Sequence, residues 1–165
     1  MEPSEFPLFR DLEREELDNV TKAGHRRTFA PDARIMEQDS SANSLFLLFA
    51  GSVRVVIEQR NREEELATIQ APAVIGEMEW LTGGERSATV IAASDVQALE
   101  LTFEALNARL AVGCTGTYKM IHGLAKVVAS RLDAVNKKLA ELHAGNPGSR
   151  DLQALKAKLF AEWTI

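Results

Sequence analysis

The central part of the chain consists of short runs of aliphatic and β-branched residues, separated by turn-forming residues. The runs occupy residues 44–49, 53–57, 66–69, 88–92 and 96–101. Turn signals stand between them at Asp39-Ser40-Ser41, Gly51-Ser52, Gln59-Arg60-Asn61 and Gly83-Gly84. Several short strands at this spacing predict a mainly β fold, an antiparallel β-roll of the jelly-roll or barrel type. Ahead of the runs, a loose helical stripe at Leu12, Leu17 and Val20 predicts a short N-terminal helical segment.

A long helix is predicted after the strand region. Its apolar residues alternate in steps of three and four and form an unbroken seven-residue repeat: Tyr118, Ile121, Ala125, Val128, Leu132, Val135, Leu139 and Leu142. Such a repeat is typical of a coiled-coil seam. A second stripe, Met120, Leu124 and Val127, lies beside the first half of the seam. We predict that the second stripe packs on the β domain and that the seam forms a parallel homodimer; the alternative is that both stripes are intramolecular core.

Residues 76–90 read GEMEWLTGGERSATV and place a Gly-Glu pair ten residues before an Arg-Ser pair. The carboxylate of Glu77 can accept a hydrogen bond from a ribose hydroxyl. The guanidinium of Arg86 can present two parallel donors to phosphate oxygens, and Ser87 adds a hydroxyl donor. Residues 78–81 are predicted to form one helical turn whose free N–H groups face an anion. This chemistry suits a sugar phosphate.

The same segment has a second interpretation. Glu77 and Arg86 can form a surface ion pair across a loop, with Gly83-Gly84 as an ordinary turn. Surface ion pairs are common and contribute about 0–1 kcal/mol. Under either interpretation, Trp80 is expected to be an apolar anchor of the short helix and not a platform for stacking a base.

The segment resembles the phosphate-binding cassette of the cyclic nucleotide-binding domain family, in which a Gly-Glu pair precedes a short helix and an Arg-Ser or Arg-Ala pair follows. Residues 9–29 and 43–56 look like the helix and strands that precede this cassette, and residues 88–101 look like the closing strands. The helix from about Thr115 fits the family's C-helix. The resemblance covers residues 9–142 and is strongest to the bacterial catabolite activator branch.

The resemblance implies a ligand and the residues that hold it. The implied ligand-binding set is Gly76, Glu77, Met78, Arg86, Ser87, Ala88 and Asn136. In it, Gly76 is a backbone donor, Glu77 binds the ribose 2′-hydroxyl, Arg86 binds the cyclic phosphate and Ser87 is the second phosphate donor. The Arg-Ser pair favours cAMP, with cGMP as the alternative ligand. No cofactor or metal is implied.

Two departures from the family pattern bear on affinity and base choice. Gly83, Gly84 and Glu85 stand where many members have a proline, so the loop carries an acid close to the phosphate. The catabolite activator branch supplies hydroxyl side chains from the C-helix to adenine, whereas this chain has Val135 and Asn136 there. The amide of Asn136 can hydrogen-bond a base edge, while Val135 offers apolar contact alone.

Composition restricts the class of protein. With 165 residues, 45% of them hydrophobic, the chain has enough apolar material for one domain that folds unaided. A single cysteine, Cys114, excludes an internal disulfide and fits a reducing, cytoplasmic compartment. The longest apolar run, residues 45–50, is far too short to span a membrane.

Charge and side-chain spacing exclude two further classes. A net charge of −5 lacks the basic surplus that holds nucleic acid. The three histidines, His25, His122 and His143, are scattered and no metal-ligand spacing occurs. Glu77 and Glu79 lie close together without a further acid or base, which is a poor basis for catalysis. The chain is therefore not expected to be an enzyme.

The predicted organisation has four parts. Residues 1–8 form an irregular leader, 9–114 the cyclic nucleotide-binding β-roll, 115–145 the dimerising C-helix and 146–165 a short C-terminal helix. The last part is too short for the winged helix-turn-helix of catabolite activator relatives, so we expect it to fold back or to dock a protein partner. Two functions remain: a cyclic nucleotide sensor that couples ligand binding to the C-helix and the dimer, or a degenerate fold that serves as a dimeric scaffold.

Overall fold

The computed structural model describes residues 6–59 and 62–144. Eight strands form the body of the molecule: β1 (His25–Phe29), β2 (Arg34–Met36), β3 (Ser44–Ala50), β4 (Ser52–Gln59), β5 (Arg62–Gln70), β6 (Ala73–Ile75), β7 (Thr89–Ala92) and β8 (Val96–Thr102). Four α-helices accompany them: α1 (Arg14–Thr21), α2 (Glu77–Thr82), α3 (Phe103–Ala111) and α4 (Thr115–Ala144). A short 3-10 turn, Pro7–Phe9, precedes α1. The predicted helix at 146–165 lies outside the described residues.

The strands form two antiparallel four-stranded sheets. One has the order β1-β8-β3-β6 and the other β2-β7-β4-β5. This arrangement confirms the predicted jelly-roll fold with flanking helices. Among the described strands, no hydrogen-bonded ladder joins one sheet to the other, so the roll is a two-layered one and not a closed barrel.

Strand β3 is buried on both of its faces. Leu45 and Leu47 face a core that the helices cover, while Phe46 and Leu48 face the core between the two sheets. Side chains alternate between the faces of a strand, and a strand that is buried on both sides reads as a continuous apolar run. This double burial explains the longest apolar run of the sequence.

The helix α4 packs against the 3-10 turn, α1 and α3, and it shares the helix-covered core with residues of β3 and β8. Met120 and Leu124 are fully buried in the helix-covered core, which confirms the predicted packing of the second stripe. Gly123 permits the close approach, because a Cβ atom there would lie 2.4 Å from the carbonyl oxygen of Leu8. That carbonyl belongs to the 3-10 turn, so the described end of the predicted leader is part of the core.

The predicted seam of α4 is exposed at two of its large side chains. Tyr118 and Leu132 are 57% and 59% exposed, while Ile121 and Val128 are half-buried. Ile121, another seam residue, packs against the helix-covered core, so a dimer through the seam stays a prediction. No described helix combines the length and apolar character that a membrane crossing requires.

Candidate functional site

The cassette begins with a left-handed residue, Gly76, between β6 and α2. Its φ is 77°, a conformation that glycine adopts without steric cost. A Cβ atom at this position would lie 2.5 Å from Nη1 of Arg86 and 2.6 Å from Cε of Met36. The glycine therefore allows the chain to turn into α2 directly against the Arg86 side chain.

The guanidinium of Arg86 is held inside the cassette. The residue is 5% exposed, and its Nη1 donates to the carbonyl oxygen of Gly76 at 3.1 Å. Its Nη2 donates to the carbonyl oxygen of Ser44, at the start of β3. Burial lowers the pKa of Arg86, and the nearby Glu79 opposes this shift. The cation is thus fixed by backbone carbonyls on two different elements.

The backbone of Arg86 is fixed as well. Its N–H donates to the carbonyl oxygen of Ser40 at 2.8 Å, and its own carbonyl oxygen accepts from the N–H of Asp39 at 2.8 Å. The neighbouring Glu85 forms an isolated bridge with Ser41. The turn predicted at Asp39-Ser40-Ser41 therefore supports the arginine end of the cassette.

Glu77 does not pair with Arg86. Its carboxylate is 2% exposed and accepts a hydrogen bond from Nη1 of Arg131 on α4, whose side chain is 10% exposed. Burial raises the pKa of Glu77, and the charge of Arg131 opposes that rise. The alternative of a surface ion pair between Glu77 and Arg86 is wrong, because both side chains are buried.

Arg131 is the site residue that the sequence analysis missed. It continues the second stripe of α4, since Met120, Leu124, Val127 and Arg131 follow one another in steps of four, three and four. Residues at this spacing share one helix face. A charged residue on the face that packs against the β domain needs a buried partner, and this requirement was the available signal.

Glu79 contacts the two residues predicted to bind phosphate. Its Oε1 accepts from the hydroxyl of Ser87 at 2.7 Å and from the N–H of Ser87 at 3.3 Å. Its Oε2 lies 3.4 Å from Nη1 of Arg86. Burial raises the pKa of Glu79, but the hydrogen bonds from Ser87 and the charge of Arg86 outweigh it, so the pKa lies below its ordinary value of 4.5. The acid closest to these donors is therefore Glu79, whereas Glu85 is exposed.

A cavity of about 290 Å³ opens beside the cassette. Its apolar wall consists of Met36, Val55, Leu66, Ile69, Ile75 and Val90. Six of the seven predicted ligand residues line it: Gly76, Glu77, Met78, Arg86, Ser87 and Ala88. The volume is at the lower end of the range of about 300–1,000 Å³ that is usual for small-molecule sites. Its charged lining residues, Glu77, Glu79 and Arg86, all belong to the cassette, whereas most of its apolar wall comes from the strands.

Asn136 is placed differently from the other predicted ligand residues. It is exposed on α4 and does not line the cavity. At 3.6 residues per turn it points about 140° away from Arg131 around the helix axis. Within one chain, the helix therefore presents Arg131 and not Asn136 to the cassette, and a role of Asn136 in ligand binding stays a prediction.

Trp80 anchors α2 to the rest of the molecule. Its ring stacks on Phe103, with the ring centroids 5.5 Å apart and an interplanar angle of 25°. It also packs against the helix-covered core. The prediction that Trp80 is an apolar anchor is confirmed.

A second groove of about 810 Å³ is lined by residues of β2, β4, β5 and the loop after β2, and it touches the cassette segment at Thr89. Its charged residues are Arg34, Arg62, Glu37, Asp39, Glu58 and Glu63. The acids outnumber the bases, and Arg34 already pairs with Glu58 at 3.3 Å. This groove is a poorer anion site than the cassette. Across the described part of the chain, no group of His, Cys, Asp and Glu side chains could hold a metal ion.

Comparison with known proteins decides the family. The sequence pattern of the cyclic nucleotide-binding domain matches residues 26–111, more than half of the chain. The chain belongs to the cyclic nucleotide-binding domain family. The matched region runs from β1 to the end of α3 and contains the whole cassette, whereas Arg131 lies beyond it on α4.

Among its relatives, the domain is similar to the cyclic AMP receptor protein of Thermus thermophilus, with 32% identity over 76% of this chain and 57% of the relative. It is also similar to Glutaminase 2 of Bradyrhizobium diazoefficiens, with 31% identity over 85% of this chain and 22% of the enzyme. The crystal structure of the Thermus thermophilus catabolite activator protein superimposes with a TM-score of 0.71 and 30% identity, over 84% of this chain and 63% of that one. The chain thus spans about half of the first relative and a fifth of the second.

Proposed function

We propose that this cyclic nucleotide-binding domain is a cAMP sensor that transmits ligand binding to α4. The observation that carries the proposal is the buried ion pair between Glu77 of the cassette and Arg131 of α4. It puts a group that can bind ribose in direct contact with the helix that carries the apolar seam. The similarity to a cyclic AMP receptor protein supports cAMP as the ligand.

The cavity offers a matching surface for each part of a cyclic nucleotide. Glu77 supplies an acceptor for the ribose 2′-hydroxyl, and Arg86 with Ser87 supplies cationic and hydroxyl donors for the cyclic phosphate. Met78 and Ala88 line the same cavity, and the aliphatic side chains of β4, β5 and β7 offer a wall for the sugar and base. These positions are the ones that the family resemblance implies.

Coupling to α4 follows from competition for Glu77. The Glu77 carboxylate accepts a hydrogen bond from Arg131. A ribose hydroxyl that donates to the same carboxylate either weakens that bond or replaces it. The ligand then favours one setting of α4 over another, and this difference in affinity between two settings is what allosteric coupling requires. A ligand that left the bond unchanged would not act on α4 by this route.

A homodimer through the α4 seam is part of the proposal. Tyr118 and Leu132 are large, apolar and exposed at seam positions, and Ile121 and Val128 are half-buried between them. Pairing of two such helices covers this strip. Asn136, which faces away from its own cavity, is then a candidate to reach the base bound by the partner chain.

The second candidate is a dimeric scaffold whose cavity binds no nucleotide. One observation favours it: the carboxylate of Glu79 already occupies the Arg86 and Ser87 donors. The same exposed seam would serve such a scaffold. The two candidates differ in whether cyclic nucleotides bind at all.

Isothermal titration calorimetry with cAMP and cGMP separates the two functions. We expect micromolar or tighter binding of cAMP, and a loss of about tenfold or more in Arg86→Ala, because a charge-assisted hydrogen bond contributes about 1.5–3 kcal/mol. The ratio of the two nucleotides reports base preference. A folded wild-type chain that gives no heat at high micromolar nucleotide supports the scaffold.

Two further variants separate a loss of binding from a loss of the fold. Arg86→Ala also removes donors from the carbonyls of Gly76 and Ser44, so its fold must be checked by circular dichroism. Ser87→Ala changes an exposed side chain and should weaken cAMP binding with the fold intact. Ser130→Ala, an exposed serine on α4 that does not line the cavity, is the matched control and should leave binding unchanged.

A further inference from the structure

We propose that Glu79 is an internal competitor for the phosphate group, so that a cyclic nucleotide binds only when the Glu79 carboxylate leaves the Arg86 and Ser87 donors. The proposal rests on the proposed function for the identity of the ligand. It rests on geometry for the competition, since Glu79 contacts the residues that the family resemblance assigns to phosphate. It assigns Glu79 a role in setting affinity and ligand selectivity.

Each carboxylate oxygen of Glu79 accepts from a different residue, one from Ser87 and the other from Arg86. Two oxygens of a phosphate group could accept from the same donors. Oε1 takes the hydroxyl and the N–H of Ser87, at 2.7 Å and 3.3 Å. Oε2 takes Nη1 of Arg86 at 3.4 Å. A carboxylate and one edge of a phosphate both present two anionic oxygens to such a set. In the structure, the donors of Arg86 and Ser87 are therefore bonded to a side chain of the domain itself.

The donors do not need Glu79 in order to stay in place. Arg86 is held by the carbonyl oxygens of Gly76 and Ser44, and its backbone is bonded to Asp39 and Ser40. Removing the Glu79 carboxylate therefore leaves the guanidinium where it is, with one donor no longer occupied by an internal anion. This independence makes Glu79 a competitor and not a support of the site.

A phosphate and the Glu79 carboxylate cannot share these donors. Two like charges a few ångströms apart in a partly buried site repel each other strongly. Binding of a phosphate must therefore break the contacts of Glu79 with Ser87 and Arg86. The side chain lies on α2, whose neighbouring Met78 and Leu81 are 46% and 42% exposed, so solvent is close by for the displaced carboxylate.

The competition predicts that the phosphate adds little to affinity while Glu79 is present. Adenosine has the ribose and base of cAMP without the phosphate and is therefore the probe for this effect. We expect the ratio of cAMP affinity to adenosine affinity to be at least about tenfold higher in Glu79→Ala than in the wild-type chain. Glu79→Gln, which keeps the size and removes the charge, should shift the ratio in the same direction.

The control is Glu85→Ala, which removes an exposed acid from the same segment and should leave the ratio within about twofold of wild type. A ratio that is equal in Glu79→Ala and wild type overturns the proposal. A lower ratio in Glu79→Ala also overturns it, because Glu79 would then be a support of the phosphate site.

A second measurement tests, without any nucleotide, whether Glu79 competes with phosphate. Inorganic phosphate is titrated into ¹⁵N-labelled protein while the amide resonance of Ser87 is followed. We expect saturation at a phosphate concentration at least about tenfold lower in Glu79→Ala than in wild type. If cAMP and adenosine bind to neither protein, the proposed function fails, and this titration still tests the competition. Equal phosphate affinities, or no saturable shift in either protein, would refute it.

Discussion

At the scale of single residues, Glu77 and Glu79 lie two positions apart on α2, and their pKa values are shifted in opposite directions. Burial raises the pKa of Glu77 against the opposing charge of Arg131. The pKa of Glu79 lies below 4.5, because the hydrogen bonds from Ser87 and the charge of Arg86 exceed the effect of burial. A carboxyl group with a raised pKa and one with a lowered pKa make opposite contributions to the pH dependence of stability.

The lowered pKa of Glu79 predicts a stability difference that depends on pH. An acid whose folded pKa is below its unfolded value stabilises the fold above the unfolded pKa, and this contribution is lost as pH falls through the folded pKa. The wild-type chain should therefore be more stable than Glu79→Gln near pH 7, and the difference should shrink as pH falls below 4.5. Urea denaturation at a series of pH values measures it.

The matched control for this series is Glu85→Gln, which removes a carboxyl group from an exposed position. This control shows how much the unfolding free energy changes when a carboxyl group without the contacts of Glu79 is removed. A difference between wild type and Glu79→Gln that stays constant down to pH 2–3 would show that shape and not charge is responsible.

Arg131→Met tests the ion pair between the cassette and α4. The substitution leaves Glu77 buried without that cation, and breaking a buried pair by removing one partner costs about 3–5 kcal/mol. We expect a loss of unfolding free energy of about this size at pH 7. Because the pKa of Glu77 is already raised, the loss should diminish as the pH is lowered and Glu77 takes up a proton.

Chemical denaturation of Arg131→Met at pH 7 and pH 5 checks this expectation. Lys126→Met is a suitable control, because Lys126 also lies on α4 but its ion pair with Asp11 is exposed on both sides. A loss in Arg131→Met that is no larger than in the control would show that the buried pair adds nothing to stability.

At the scale of elements, α4 has one face in the core and one face exposed. Leu132→Glu places a charge in the middle of the exposed seam, and a charge at a seam position of a coiled coil opposes pairing. We expect the proposed dimer to dissociate at least about tenfold more readily, with the monomer fold intact. Sedimentation equilibrium measures the dissociation constant of the dimer.

Ser130→Glu is the control for the dimer experiment. Ser130 is exposed and lies about 200° around the helix from both Val128 and Leu132, so a charge there faces away from the seam. If Leu132→Glu and wild type sediment as the same species, the seam is not the dimer interface.

The elements that could be predicted are those with a clear period or a defined turn. The heptad pattern indicated a long helix, and α4 spans Thr115–Ala144. The cassette spacing indicated a short helix, and α2 spans Glu77–Thr82. By contrast, α3 (Phe103–Ala111) was not predicted, because Leu106 is its one fully buried residue and it carries no strong stripe. Strands β2 and β6 have three residues each, too few to show a period.

The sequence predicted which residues form the site, but it did not predict which of them contact one another. The spacing of the cassette indicated Gly76, Glu77, Arg86 and Ser87 as its polar groups, and all four line the cavity. Their partners depend on how α2 and α4 are oriented, which a sequence pattern does not specify. For this reason Arg131 as the partner of Glu77, and Glu79 as the partner of Arg86, became visible in three dimensions alone.

At the scale of the whole molecule, the described part of the chain has two cores on either side of one sheet. The helix-covered core contains Leu47 and Leu124, while the core between the sheets contains Leu48 and Val55. The cavity draws its apolar wall from the second core, and Arg131 reaches the site from the helical layer. The candidate site thus lies where the helical layer meets the core between the sheets.

The burial of β3 on both faces has a thermodynamic consequence. Neither core can lose its structure without uncovering the side of β3 that it protects, so the two cores are expected to unfold in a single cooperative transition. A ligand that binds only the folded state raises the stability of that whole unit by RT ln(1 + [L]/Kd). Hydrogen exchange in the part of α4 that belongs to the helix-covered core would then slow on ligand binding, even at amides that the ligand never approaches.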